Sequence, residues 1–218
     1  QEKWSKWGAP DHIVFDKATN EIVRRYTSQQ DERYLDVILT LSSHEPFDIP
    51  TTDKFGHLYL NSISYTDSCL GIFIDSLKQS NQWENTIVIL SSDHGYPYPE
   101  GITRDNPLRY KIPMAIVGGA LKQTKEVTTL CSQIDLIPSI LNEMGIDISS
   151  YKFSKNILDA THTEFAFYAF NDGFALLMPH DTVVMDAKPD LLLRGTTAIT
   201  NKQAHAIMQC IMEDIENL

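Results

Sequence analysis

Thr86-Ile87-Val88-Ile89-Leu90-Ser91-Ser92-Asp93-His94-Gly95 is the stretch on which the fold of this chain turns. Its four apolar residues, Ile87 to Leu90, are entered through Asn85-Thr86 and left through Ser91-Ser92. They read as a strand buried on both faces, the kind found in parallel sheets. In open α/β sheets ligands bind beyond the carboxyl ends of the strands, which makes Asp93 and His94 candidates for chemistry. A carboxylate beside an imidazole offers two ligands to a divalent cation, and Gly95 lets the backbone turn sharply away. Taken alone, the triplet is more simply a strand followed by a polar turn.

The flanking sequence supplies context. Upstream, Tyr34-Leu35-Asp36-Val37-Ile38-Leu39-Thr40-Leu41 reads as an earlier strand, and it too ends near a histidine, in Ser42-Ser43-His44-Glu45-Pro46-Phe47. Between the two strands Phe55, Tyr59, Ile63, Thr66, Leu70, Phe73 and Leu77 recur by threes and fours, which predicts a long amphipathic helix to about Gln79. Strand, helix, strand at this length is a right-handed crossover between parallel strands, so His44 and His94 are expected at one sheet end. Before them, Trp4 and Trp7 anchor a loop, and Asp11 caps a helix toward Arg25 whose apolar face is Phe15, Ala18, Ile22 and Tyr26. Glu45-Pro46 restricts the loop that carries His44.

Downstream, Tyr96 to Gly101 is a proline-rich loop, and Ile112 to Val117 is a third short strand ending in Gly118-Gly119. Ser132 to Gly145 predicts a helix capped by Asp135, with Pro138 in its first turn and Gly145 as its stop. Phe165–Phe170, Phe174–Met178 and Thr182–Met185 then form an antiparallel meander with tight turns. A last helix presents Ala204, Ile207, Met208, Ile211, Met212 and Ile215 on one face. The expected architecture is therefore α/β: parallel strands with crossover helices, then a small antiparallel β meander and a C-terminal helix. The division falls into residues 1–160, the core, and 161–218, the meander and terminal helix.

Composition narrows the function. The 218 residues are 42% apolar, enough for a sizeable core, and carry a formal charge of −11 with no basic stripe, which argues against a nucleic-acid partner. Cys69, Cys131 and Cys210 lie far apart without metal-type spacing and read as buried small hydrophobes. No apolar run approaches the length of a membrane span, and Gln1-Glu2-Lys3-Trp4 is no signal peptide.

Four motifs stand in register: Thr40-Leu41-Ser42-Ser43-His44-Glu45-Pro46-Phe47, Tyr59 to Asp67, Asn85 to Gly95, and Gln133-Ile134-Asp135-Leu136-Ile137-Pro138. Their order resembles that of sulfatases and lipoteichoic-acid-synthase-like enzymes of the alkaline phosphatase superfamily, and the Trp7-Gly8 loop and β-rich tail resemble them too. The resemblance implies that this is the C-terminal portion of an alkaline-phosphatase-like sheet. It also implies that Asp93 and His94 bind a divalent metal ion (Mn2+, Mg2+, Zn2+ or Ca2+) and that His44 faces the substrate as a catalytic or binding group. The His44 loop is most similar to the lipoteichoic acid synthase and phosphoethanolamine transferase branch, which implies phosphoglycerol or phosphoethanolamine transfer in an extracytoplasmic, membrane-anchored parent.

The family's nucleophile and first-strand acidic ligand are matched by nothing in this chain, so the N-terminal half of the same protein is the expected partner. Without the nucleophile three outcomes stay open: transfer of a phosphate ester to an acceptor hydroxyl, hydrolysis of a sulfate ester, or a non-catalytic module of the same fold. The resemblance implies a phosphate or sulfate ester on a lipid head group or glycan as the substrate. Arg104 and Arg109, in the loop after His94, are candidate binders of its anionic group or else solvated loop residues. Tyr96 and Tyr98 either wall a pocket or pack the loop. His57 and Asp67 read as helix residues, and His12, His162, His180 and His205 as surface residues.

Overall fold

The computed structural model describes residues 6–28, 32–50 and 52–217; Trp4 lies outside them. In chain order the elements are α1 (Asp11–Ser28), α2 (Leu58–Gln79), β1 (Val88–Ser91), β2 (Met114–Val117), α3 (Leu136–Glu143), β3 (Ala166–Phe170), β4 (Gly173–Met178), β5 (Asp181–Asp186), β6 (Leu191–Arg194) and α4 (Ala198–Glu216). Single 3-10 turns lie at Trp83–Asn85, Pro107–Tyr110 and Gln133–Asp135. The fold is mixed α/β, with β1 and β2 in a two-stranded sheet and β3 to β6 in a four-stranded one in sequential order. The chain forms two compact units, Gln1–Val88 with Ile116–Lys122, and Ile89–Ala115 with Gln123–Leu218.

In the first unit α1 and α2 meet through their apolar faces. Phe15, Cys69, Phe73 and Leu77 are buried together, Phe15 stacks on Phe73 at 5.0 Å, and Ile22, Ile38, Trp83 and Val88 close around them. Asp11 was expected to cap α1; instead its fully buried carboxylate reaches across the unit. One oxygen accepts from the backbone N–H groups of Leu41 and Ser42, both at 3.0 Å, and the other from the Thr66 hydroxyl at 2.7 Å. The expected strand Tyr34–Leu41 takes no place in a sheet among the described residues. Its period-two pattern is nevertheless real, since Ile38 packs inward while Leu35, Val37 and Leu39 are 84%, 88% and 69% exposed. Side-chain alternation can be written into a sequence, but a ladder needs a second backbone. β1 is half-buried rather than buried on both faces, because a two-stranded sheet lacks the covering layers of a central strand. Gly118, with φ at +150°, lets the end of β2 approach Thr86: a Cβ there would lie 2.1 Å from the Thr86 carbonyl oxygen.

In the second unit the meander forms as expected and gains a strand that the sequence reading missed, β6. Cross-strand pairs Phe174↔Met185 and Leu176↔Val183 line one face, against which Ala204, Ile207 and Met208 of α4 pack. Burying each of the larger side chains is worth about 1.5–3 kcal/mol, which holds α4 to the sheet. The helix before α3 begins with a capping box made by Ser132 and Asp135, so Ser132, not Asp135, is the capping residue. The Asp135 carboxylate is fully buried, accepting from Ser132 N at 2.7 Å, Lys155 N at 3.0 Å and Lys155 Nζ at 2.7 Å. Of the cysteines Cys69 is buried, but Cys210 is exposed on α4, contrary to expectation, because it falls off the apolar face. No helix among the described residues is long and apolar enough to cross a membrane.

Two stability predictions follow from these bonds. Asp11→Ala leaves two backbone donors and a hydroxyl without their acceptor and should destabilise the chain by about 3 kcal/mol, whereas Asp11→Asn, which keeps one acceptor oxygen, should cost less than half of that. Urea unfolding of the two variants at pH 7 checks the order. Asp181, at the β4–β5 turn, is held down to about 2 by the Thr197 hydroxyl at 2.6 Å and the amides of Thr196 and Thr197 at the head of α4. A depressed carboxylate stabilises fully above its unfolded value and loses that contribution as pH falls through the folded one. The tie between turn and α4 should therefore weaken between about pH 4 and pH 2, and Asp181→Asn should flatten the stability–pH curve in that window alone.

Candidate functional site

At the exit of β1 the backbone is locked by its own side chains. Ser92 Oγ donates to the His94 carbonyl at 2.8 Å, and Asp93 Oδ1 accepts from His94 N at 2.9 Å. His94 Nδ1 lies 2.9 Å from the Gly95 carbonyl. A carbonyl can only accept, so Nδ1 carries the proton, and the neutral ring presents its lone pair at Nε2. These bonds occupy Asp93 Oδ1 and His94 Nδ1 and leave Asp93 Oδ2 and His94 Nε2 outward, 3.8 Å apart. Both side chains are open to solvent, 78% and 69% exposed. Two donors on one tetrahedral ion at about 2.0–2.2 Å lie about 3.4 Å from each other, so a small rotation brings this pair to one cation. Second-partner fixation of the imidazole by a carbonyl is the usual arrangement for a metal-binding histidine. The two residues thus fit a divalent ion, and among the described residues no group of three or more His, Cys, Asp or Glu completes a set.

Gly95 has a different reason from the one expected. It does not occupy the left-handed region; instead the Arg109 carbonyl lies where a side chain would be, 2.2 Å from a Cβ built there. The loop after His94 therefore folds back against its own start. Its far part is pinned to the meander: Tyr110 stacks on Tyr168 with centroids 4.1 Å apart, and Arg104 Nη2 is 3.0 Å from Asp186 Oδ2. Burial pushes both phenols above their ordinary range, so they stay neutral. Arg104 is thus engaged by a carboxylate, and Arg109 Nη1 lies 3.5 Å from the Ile102 carbonyl.

One contributor escaped the sequence reading. Gln133, at the head of the 3-10 turn before α3, donates its Nε2 to the Ser92 carbonyl at 2.7 Å and to Ser91 Oγ at 3.3 Å. It belongs to the Gln133–Pro138 motif, but a glutamine beside a helix start carries no chemical signal of its own.

His44 belongs to the first unit and is exposed there. Its Nδ1 lies 2.7 Å from the Glu45 carbonyl, which also accepts from Trp7 Nε1 at 2.6 Å, and the Trp7 ring leans on the imidazole at 4.9 Å. The same logic puts the Nε2 lone pair of His44 outward. Backbone bonds from His44 N to Leu41 O and from Phe47 N to His44 O close the loop tightly. His57 precedes α2 as its N-cap rather than lying on the helix. His12 bonds the Tyr65 hydroxyl, and His205 lies 3.3 Å from Asp190.

The chain is 28% identical over 152 residues to lipoteichoic acid synthase 2 of Bacillus subtilis, covering 58% of this chain and 23% of that protein. It is 29% identical over 109 residues to a sulfatase of Formosa agariphila, covering 48% and 22%. It is 32% identical over 91 residues to arylsulfatase K of Canis lupus familiaris, covering 40% and 17%. The chain spans about a quarter of the length of the first two of these relatives. A crystal structure of a protein in the alkaline phosphatase superfamily from Vibrio parahaemolyticus shares the fold with a TM-score of 0.75 at 23% identity, covering 93% of this chain and 53% of that one. The family model described as Sulfatase matches residues 1–146, which takes in all four motifs and the Asp93-His94 turn, and the chain belongs to that family.

Proposed function

We propose that this chain carries the metal-binding and substrate-facing part of a metal-dependent enzyme acting on phosphate or sulfate esters, with lipoteichoic-acid-synthase-type transfer of phosphoglycerol or phosphoethanolamine as its reaction. The observation that carries the proposal is the Asp93-His94 pair, whose inner atoms are tied to backbone and whose outer atoms converge within 3.8 Å. In this reading Asp93 and His94 hold the divalent ion, Mn2+, Mg2+, Zn2+ or Ca2+, and no residue of this chain is the nucleophile. The ion would supply Lewis-acid stabilisation of charge on the ester oxygens and acidify the attacking hydroxyl.

His44 takes the substrate-facing role. With Nδ1 bonded to the Glu45 carbonyl, its Nε2 accepts a proton when neutral and donates one to an ester or leaving-group oxygen when doubly protonated. Arg104 and Arg109 are assigned to the anionic group of the substrate, Arg104 by exchanging Asp186 for it. The nucleophile is left to the N-terminal half of the same protein. The exposed alternation of Leu35, Val37 and Leu39 supports such a partner, since an unpaired apolar edge is a template for another strand. Residues 161–218 act as a supporting subdomain to the core of residues 1–160, and the similarity to lipoteichoic acid synthases supports an extracytoplasmic, membrane-anchored setting. A second reading, hydrolysis of a sulfate ester, is favoured by the similarity to arylsulfatase K.

In the intact protein His44→Ala should lower turnover by about 100-fold or more with metal content unchanged, while Asp93→Asn and His94→Ala should lower metal content itself. Turnover of phosphatidylglycerol vesicles against p-nitrophenyl sulfate separates the two reactions. Metal lost in His44→Ala, or full activity there, would remove the assigned role. The 218-residue chain by itself, with two ligands where a site takes three or four, should shift its melting temperature by less than about 1 °C in millimolar Mn2+. A larger shift, or cleavage of p-nitrophenyl phosphate by the pure chain, contradicts the assignment of the remaining machinery elsewhere.

A further inference from the structure

We infer that Gln133 is a positioning residue for the Asp93-His94 pair, its carboxamide setting the direction in which the two ligating atoms leave the strand. The inference rests on the proposal that this pair holds a divalent ion. The Ser92 carbonyl and the Asp93 N–H belong to one planar peptide unit, so a bond that fixes the carbonyl fixes the plane from which Asp93 departs. Gln133 Nε2 makes that bond at 2.7 Å, and Ser91 Oγ donates to the same oxygen at 3.2 Å. Apart from the two bonds made by Gln133, the hydrogen bonds described for the turn are local, joining residues within two positions of each other. Local bonds shape a turn without orienting it. A bond from 41 positions away orients it relative to the rest of its unit.

Gln133 is also held firmly enough to act as a lever. It opens the 3-10 turn Gln133–Asp135, which the Ser132–Asp135 capping box closes on both sides. Asp135 in turn is fully buried against Lys155, whose ammonium group also donates to the Phe165 carbonyl at 2.9 Å and sits 4.2 Å from the Phe165 ring centroid. Loss of an outer partner of a metal ligand typically weakens metal binding about 10- to 100-fold.

The test uses the intact protein and Mn2+. Gln133→Glu keeps the shape but replaces a donor by a second acceptor facing the Ser92 carbonyl, and Gln133→Met keeps the volume with no donor at all. Both should raise the Mn2+ dissociation constant about tenfold, read from the paramagnetic resonance signal of free Mn2+. Both should also change the spectrum of the bound ion and speed hydrogen exchange at the amides of Asp93 and His94 in the metal-free protein. The metal-free melting temperature should stay within about 2 °C of the wild type. Wild-type affinity and spectrum in Gln133→Met, with His94→Ala impaired, overturn the role of Gln133 alone. Wild-type affinity in His94→Ala removes the ligand assignment and the Gln133 role with it. A large fall in metal-free melting temperature in both variants, with the bound-ion spectrum unchanged, makes Gln133 a residue of the fold and likewise overturns the inference.

Discussion

Each unit of this protein is organised around a carboxylate that has been taken fully out of water. Asp11 and Asp135 are both completely buried, and an ionised carboxylate without partners in such a place is prohibitively costly. Each is therefore surrounded by donors, and in each case at least one donor comes from a distant part of the chain. Asp11 gathers Leu41, Ser42 and Thr66; Asp135 gathers Ser132 and Lys155. The requirement for satisfaction works as a structural specification, because a segment that moves away leaves a buried carboxylate oxygen without its donor. Apolar contacts around Phe73 and around Leu176 supply cohesion, but they would tolerate small slips that the hydrogen bonds do not.

Both candidate loops lie one step from these anchors. The backbone that Asp11 holds at Leu41 and Ser42 leads in two residues to His44, where Trp7 and the Glu45 carbonyl set the imidazole. The turn that Asp135 closes begins at Gln133, which reaches the strand end before Asp93. Buried charge is thus coupled, through short rigid links, to exposed groups that need accurate placement. Exposed side chains such as His94 and Asp93 have no packing to orient them, and hydrogen bonds to backbone take over that task.

Much of this organisation was legible in the chain itself. The helices α1, α2 and α4 announce themselves by apolar residues at threes and fours, and the meander by short β-rich runs parted at Asn171-Asp172-Gly173 and Pro179-His180-Asp181, where two-residue turns now stand. Asp93, His94 and His44 are visible as polar endings to apolar runs, and the ordered motifs tie them to the sulfatase family. β6 was missed because Leu191-Leu192-Leu193-Arg194 has no alternation to distinguish it from loop; its pairing with β5 includes a bulge at Val184/Met185. Gly95 was correctly singled out but for the wrong reason, since the close approach of Arg109 is invisible fourteen residues away in sequence.

The sequence by itself determined what is local or periodic: which segments are amphipathic, where turns fall, which residues carry ligating chemistry, and the family to which their order belongs. Only the tertiary structure decided whether a run such as Tyr34–Leu41 joins a sheet, which nitrogen of His94 and His44 is left open, and which distant groups Asp11, Asp135 and Gln133 hold. The division has one physical cause. Periodicity and propensity are properties of neighbouring residues, whereas a hydrogen bond between residues 41 positions apart exists only once the chain between them has been folded.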